Sequence, residues 1–206
     1  MIDVEFQGMM GRGGRNTIPE KLNTFNYEFL FGASYLLNCK PGEGGWALSW
    51  IVGGLLKPTS GIIRLNETNY LLKDAWGVRE SEIKRWGFGN QPVEYQIKTG
   101  LKSNARSHLT TEDEIMKRFH LTPERYKRPL HQLSHEAWRA SCAIGYASGK
   151  KIFCFPYLSG DFINTYYDLW LKDLIDLLRD TGALVLVPAD LADTLRNLCD
   201  VNVSLR

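Results

Sequence analysis

The chain has 206 residues, 44% of them apolar, and its 25 basic side chains nearly balance 23 acidic ones, leaving a net charge of +2. That suffices for one sizeable α/β domain with a full core, and the charge balance, with no interleaving of basic and aromatic residues, excludes the footprint of a nucleic-acid binder. The longest apolar stretches, such as Trp46 to Leu56, fall far short of the ~20 residues of a membrane span, and no basic segment followed by an apolar run opens the chain, so a cytoplasmic protein is expected.

Tyr35 to Cys39 (YLLNC) reads as a buried strand, followed by a Pro/Gly-rich turn, KPGEGG, and an apolar helix from Trp46 to about Leu56. Pro58 and Gly61 break that helix, and Ile62 to Leu65 is a further strand. Residues 66 to 129 are more polar and hold two helical pieces; Glu112 to Phe119 is the clearer, with Ile115, Met116 and Phe119 at helical spacing. A helix from Leu133-Ser134 to about Gly149 follows, with Ser134 as its expected N-cap. Lys151 to Phe155 is a buried strand. Asp161 to Arg179 is predicted as one long amphipathic helix, with the stripe Phe162, Ile163, Tyr166, Leu169, Trp170, Leu174, Leu177 and Leu178 in the core. Ala183 to Val187 is another buried strand; a short helix and the alternating strand Val201 to Leu205 complete the pass. Short apolar runs alternating with helical patterns predict an α/β fold with a mostly parallel sheet.

The four cysteines, Cys39, Cys142, Cys154 and Cys199, form no CxxC pair and are expected as free, buried, small hydrophobes. His131 and His135 have i,i+4 spacing but no third ligand nearby, so no metal site is expected. The cluster Arg125, Lys127 and Arg128 reads as a solvated loop or helix end.

Strand, glycine-rich turn, helix is the context in which a P-loop binds phosphate. Here the turn is followed by GGLLKPTSG (Gly53–Gly61) and IIRLN, which resembles the segment after the Walker A motif of ABC ATPases. Trp86–Gln91 (WGFGNQ) resembles the Q-loop strand, and Leu121–Arg125 with Leu133-Ser134 resembles the approach to the LSGGQ signature. YASGK, KIFCF, ALVLV and Leu198–Asp200 follow in the family's order and spacing. The resemblance covers almost the whole chain. It implies a RecA-type P-loop NTPase core (1–91 and 146–206), a small N-terminal β-subdomain and a helical subdomain at 92–145.

The same comparison implies that the catalytic residues are gone. In the Walker A pattern GxxxxGK(S/T), backbone amides cradle phosphate, the lysine reaches the outer phosphates and the hydroxyl holds magnesium. Counting back from the GLLKPTSG landmark, Gly42 and Gly44 keep two glycine positions; Cys39 stands for the first glycine, Gly45 for the lysine and Trp46 for the hydroxyl residue. The missing lysine removes a charge-assisted contact worth roughly 1.5–3 kcal/mol. An indole at the magnesium position has one donor and no useful acceptor, and reads first as packing the helix onto the core. Where Walker B would end in Asp-Glu, this chain has Pro156 and Tyr157; where the switch histidine would stand, Pro188-Ala189-Asp190 places Ala189. The position of the family's adenine-stacking aromatic falls around Met10, in a glycine-rich stretch with no aromatic residue. LSGGQ has become Leu133, Ser134, His135, Glu136 and Ala137, which adds side chains where a partner's γ-phosphate would approach, with the Glu136 carboxylate expected to face and repel it. Gln91 keeps the position between core and helical subdomain, beside the groove that receives a permease coupling helix.

The resemblance therefore implies a pseudo-ATPase, with neither catalysis nor a bound ATP or magnesium cofactor. Such a subunit would dock on a transmembrane permease at the inner face of the cell membrane and pair head-to-tail with a competent ATP-binding subunit or with itself, offering Ser134 to the partner's site. Two alternatives stand beside it: a degenerate subunit that binds ATP without hydrolysing it, and an interaction module with no permease. The transported substrate is not written in this chain, because specificity in this family belongs to the permease.

Overall fold

The computed structural model describes residues 2–9, 15–22, 27–53, 64–65, 68–69, 74–78, 91–104, 110–190 and 197–205. Its centre is a five-stranded parallel sheet in the order β6-β7-β8-β3-β9, built from β3 (Ser34–Asn38), β6 (Ala75–Gly77), β7 (Ile152–Cys154), β8 (Leu184–Ala189) and β9 (Val201–Ser204). Strands β7 and β8 are buried along their whole length, which is why they are continuous apolar runs rather than alternating ones. The pleat still sorts their side chains. Leu36, Phe153, Val185 and Val187 enter one apolar cluster, while Tyr35, Leu37, Ile152, Cys154, Leu184 and Leu186 enter another with Leu48 and Val52 of α1 (Gly45–Val52).

Two antiparallel pairs lie outside this sheet. β1 (Ile2–Met9) pairs with β2 (Arg15–Leu22), from Ile2 opposite Leu22 to Met9 opposite Arg15, and the short β4 (Arg64–Leu65) pairs with β5 (Thr68–Asn69). The expected strand over 62–65 is thus described at Arg64–Leu65, and the expected strand and helix over 35–39 and 46–56 at Ser34–Asn38 and Gly45–Val52. Most of the GGLLKPTSG run (54–61), residues 86–90 before Gln91, Met10, and the short helix expected after β8 lie outside the described residues.

The middle of the chain is helical. α2 (Val93–Ser103) begins after Pro92 and buries Val93, Ile97 and Gly100 on one face. α3 (Glu112–Arg118) opens on a capping box, in which Thr111 Oγ1 accepts from the Glu114 N–H at 3.3 Å and Glu114 Oε2 accepts from the Thr111 N–H at 2.8 Å. α4 (Pro123–Tyr126) is a single turn. α5 (Ala137–Ala147) crosses α2 so closely that a Cβ on Gly100 would lie 2.6 Å from Ser148 Oγ and 3.0 Å from the Ser148 nitrogen.

Three expectations are corrected here. The helix predicted from Ser134 starts at Ala137; Leu130–Gln132 and Ser134–Glu136 are 3-10 turns. Ser134 is no N-cap, because its φ of 53° puts it in the left-handed region, where a β-region cap residue cannot sit. The helix predicted over 161–179 is interrupted: α6 (Gly160–Tyr166), capped by Ser159 Oγ on the Phe162 N–H at 3.2 Å, gives way to a π-helical turn at Tyr167–Leu171 before α7 (Lys172–Asp180). The wider turn changes the phase of the stripe, so Trp170, Leu171, Leu174 and Leu178 are buried but Leu169 is 66% exposed.

A charged tie joins the starts of β3 and β9 to α7. Asp200 accepts from the Ser34 N–H at 2.9 Å and Ser34 Oγ at 2.8 Å, while Arg179 Nη1 sits 3.0 Å from its other oxygen. All four cysteines are free and buried, as expected.

Candidate functional site

The ends of β3, β7 and β8 meet at one place, where strand order and backbone hydrogen bonds bring together most of the residues singled out in the sequence. Asn38 lies opposite Ala189, the Cys39 N–H donates to the Ala189 carbonyl at 3.0 Å, and Leu158 bridges to Ala189. The glycine-rich loop therefore leaves β3 beside both the segment after β7, which carries Pro156 and Tyr157, and the fully buried Ala189. This is the carboxyl edge of a parallel sheet, where open α/β folds place their ligands.

The loop turns through two left-handed glycines. Gly42 and Gly44 have φ of 92° and 90°, a conformation that only glycine adopts without strain, and Gly44 leads directly into α1. The room beside Gly45 is taken up by the chain itself. A Cβ added at Gly45 would fall 2.1 Å from Cys39 Sγ and 3.2 Å from Cys39 Cβ. The side chain at the position assigned to the first glycine thus fills the room that a side chain at the lysine position needs. One residue on, the Glu43 carboxylate accepts from the Lys40 N–H at 2.6 Å, while the Glu43 N–H donates back to the Lys40 carbonyl at 3.1 Å. An amide of the loop is thereby engaged by the loop's own carboxylate.

Trp46 is buried in the protein: it is 8% exposed and packs edge-on against Trp50 at 5.4 Å, the packing role read from the sequence. α1 is pinned to β7 by Ser49 Oγ, which donates to the Phe155 carbonyl at 2.7 Å, and by Gly53, whose Cβ would stand 3.1 Å from Cys154 Cβ. Phe155 itself is buried and stacks parallel to Trp138 at 6.0 Å. Pro156 and Tyr157 are half-buried.

Gln91 and the Leu133–Glu136 turn belong to the helical side of the molecule. Gln91 precedes the first turn of α2 and its carbonyl accepts from Gln96 Nε2 at 3.0 Å. Leu133 is buried; Ser134 and His135 are exposed. Glu136 departs from expectation. Rather than facing outward to repel an incoming phosphate, it is 6% exposed, with Arg125 Nη1 at 3.4 Å and Thr122 Oγ1 at 3.2 Å. A buried carboxylate needs partners, and Arg125 and Thr122 supply them from α4, so Arg125 is not a merely solvated charge. His131 and His135 lie on separate 3-10 turns instead of one helix face, and no group of three metal-ligating side chains occurs among the described residues.

Sequence reasoning found the loop but missed two of its working parts. The signal for the first was available: a cysteine at 39 and a glycine at 45, on either side of one tight turn, are complementary in volume. No local signal marks Glu43, since a carboxylate in a polar turn is ordinarily solvated.

No family model matches the chain, and no curated protein matches it in sequence. Its fold is found in solved structures. The chain is similar, over its whole length and 85% of the other chain, to an ATP-binding subunit of an ABC transporter, with 14% identity and a TM-score of 0.63. Against CbiO1 from Clostridium perfringens, described as part of the ABC transporter complex CbiONQ, it covers 97% of itself and 82% of that chain at 17% identity and a TM-score of 0.60. Against the bacterial ABC transporter cassette MJ0796, solved as a dimer, the figures are 100%, 95%, 16% and 0.63. At such identities the likeness is one of fold.

Proposed function

Starting from a chain that has the P-loop fold of ABC transporter ATP-binding cassettes, we propose that it is a pseudo-ATPase: a structural or regulatory cassette that neither holds Mg·ATP productively nor hydrolyses it. One observation carries this reading, the 2.1 Å between Cys39 Sγ and the Cβ position of Gly45. Phosphoryl transfer rests on positioning and on charge placed at the outer phosphates. Here the position of the lysine is filled by another side chain, and a loop amide is held by Glu43. The residues present do not fit a nucleotide triphosphate with its metal, and Pro156, Tyr157 and Ala189 supply neither carboxylate nor imidazole at the adjoining strand ends.

The assembly follows from the kinds of protein that share the fold. One similar cassette is part of a transporter complex and another forms a dimer. We therefore place this chain under a permease at the inner face of the membrane, paired with a competent ATP-binding subunit or a second copy, with Gln91 at the permease groove and Ser134 and His135 on the side facing the partner. A second reading, nucleotide binding without turnover, is favoured by one observation, the preserved left-handed conformations of Gly42 and Gly44.

Titration calorimetry of the full chain with Mg·ATP separates the two. The proposal expects no saturable heat and no hydrolysis; saturable binding without hydrolysis establishes the second reading, and hydrolysis overturns both. Co-purification of a membrane protein with the native chain tests the assembly, and recovery of the chain free of membranes would sink it.

A further inference from the structure

Away from the glycine-rich loop, α5 and the interrupted helix α6–α7 border an open pocket of about 540 Å³, within the size range of small-molecule sites. Its walls are aromatic. Phe162 lies 5.7 Å from Trp138, 4.7 Å from Tyr166 and 6.2 Å from Trp170, ring centre to ring centre. One cation enters this lining: the half-buried Arg139 guanidinium, 6.0 Å from the centre of the Trp170 ring. Arg139 forms no ion pair among the described residues; the carboxylates of Glu136 and Asp173 act on it only at longer range, and Glu136 is already engaged by Arg125 and Thr122.

A guanidinium on an aromatic wall, with no carboxylate in contact, is half of a charge-assisted pair. Trp170, on the same wall, has a buried indole N–H with no acceptor among the described residues, which in a native fold calls for a partner. Two irregular stretches of backbone border this space: Ser134 with φ 53° at one rim, and the π-helical turn Tyr167–Leu171 at the other. Such departures collect at sites of function.

We propose that this pocket is a binding site for a planar aromatic carboxylate, its rings packed among Trp138, Phe162, Tyr166 and Trp170 and its carboxylate held by Arg139, with His135 at the rim. The aromatic walls provide offset and edge-on contacts for a ring system. Arg139 fixes its orientation through two parallel hydrogen bonds of the kind a carboxylate accepts. The site does not depend on the fate of the nucleotide cleft and stands or falls apart from it.

The test is calorimetry of the full chain with 1-naphthoate and with the neutral 1-naphthalenemethanol. The expected result is saturable binding of the carboxylate, with the alcohol on the order of tenfold weaker or more, the size of a lost charge-assisted contact. Arg139→Gln lowers naphthoate affinity by the same factor and removes the difference between the two probes, while Arg139→Lys retains part of it. No saturable binding, equal affinity for the two probes, or unchanged affinity in Arg139→Gln would overturn the proposal. Should Arg139→Gln unfold for loss of its packing on Trp170, the lysine variant and the neutral probe decide.

Discussion

Installing a lysine at position 45 forces its Cβ against Cys39 Sγ, 2.1 Å away in a packed loop where Cys39 is fully buried. The expected cost of Gly45→Lys is that of overpacking, about 1–3 kcal/mol of stability, read by denaturant unfolding. Adding Cys39→Gly vacates the space, so the double variant should be more stable than Gly45→Lys alone, an inversion of the usual accumulation of damage that reports direct coupling. If the two costs simply add, the steric relation between these residues is wrong. The same scale shows what a sequence reading misses. Glu136 was expected outside because a carboxylate defaults to solvent; Arg125 and Thr122, eleven and fourteen residues earlier, turn it inward.

At the scale of elements, the interrupted helix gives the sharpest test of phase. An unbroken helix would bury Leu169 beside Trp170; the π turn exposes one and buries the other at 66% and 4% exposure. Leu169→Gln should change stability by no more than about 0.5 kcal/mol, whereas Leu171→Ala, which empties a fully buried site, should cost roughly 2–5 kcal/mol. A large loss for Leu169→Gln would restore the continuous helix. The crossing of α2 and α5 sets two opposing effects against each other. Gly100→Ala gains up to ~1 kcal/mol of helix propensity, but its Cβ meets Ser148 Oγ at 2.6 Å and backbone atoms of Ser148 and Ala147 at 3.0 and 3.1 Å. Backbone cannot rotate aside, so the clash wins and thermal unfolding should move to lower temperature. The buried strands were legible because parallel strands covered on both faces are continuous apolar runs. Leu133–Glu136 and Tyr167–Leu171 were not, since 3-10 and π turns keep the residue types of an α-helix and differ only in hydrogen-bond partner.

For the molecule as a whole, the tie between Ser34, Asp200 and Arg179 joins β3, the turn before β9 and the end of α7. Partial burial opposes ionisation of Asp200, but hydrogen bonds from the Ser34 N–H and hydroxyl, then from Arg179, outweigh it and hold the carboxyl below its ordinary 3.8. A depressed folded value means stabilisation that is complete above the unfolded value and lost as pH falls through the folded one. Asp200→Asn should therefore cost about 1 kcal/mol near neutrality, a modest figure because the side chain is 36% exposed. The gap from the parent chain should close as the pH drops below about 3.8, as acid-titrated unfolding would record. A gap independent of pH would assign the loss to something other than the carboxylate's charge. The sheet and its order of elements were readable from pattern and resemblance together, while the packing beside Gly45 was not, because it depends on which side chain reaches into a space that no periodicity describes.

The contact between Cys39 Sγ and the Cβ position of Gly45 also makes the two positions answer to one another in sequence. Room for a side chain at 45 exists only where 39 gives it up, and a small residue at 39 alone leaves a void beside the helix start. Chains that share this loop should therefore change at 39 and 45 together rather than singly.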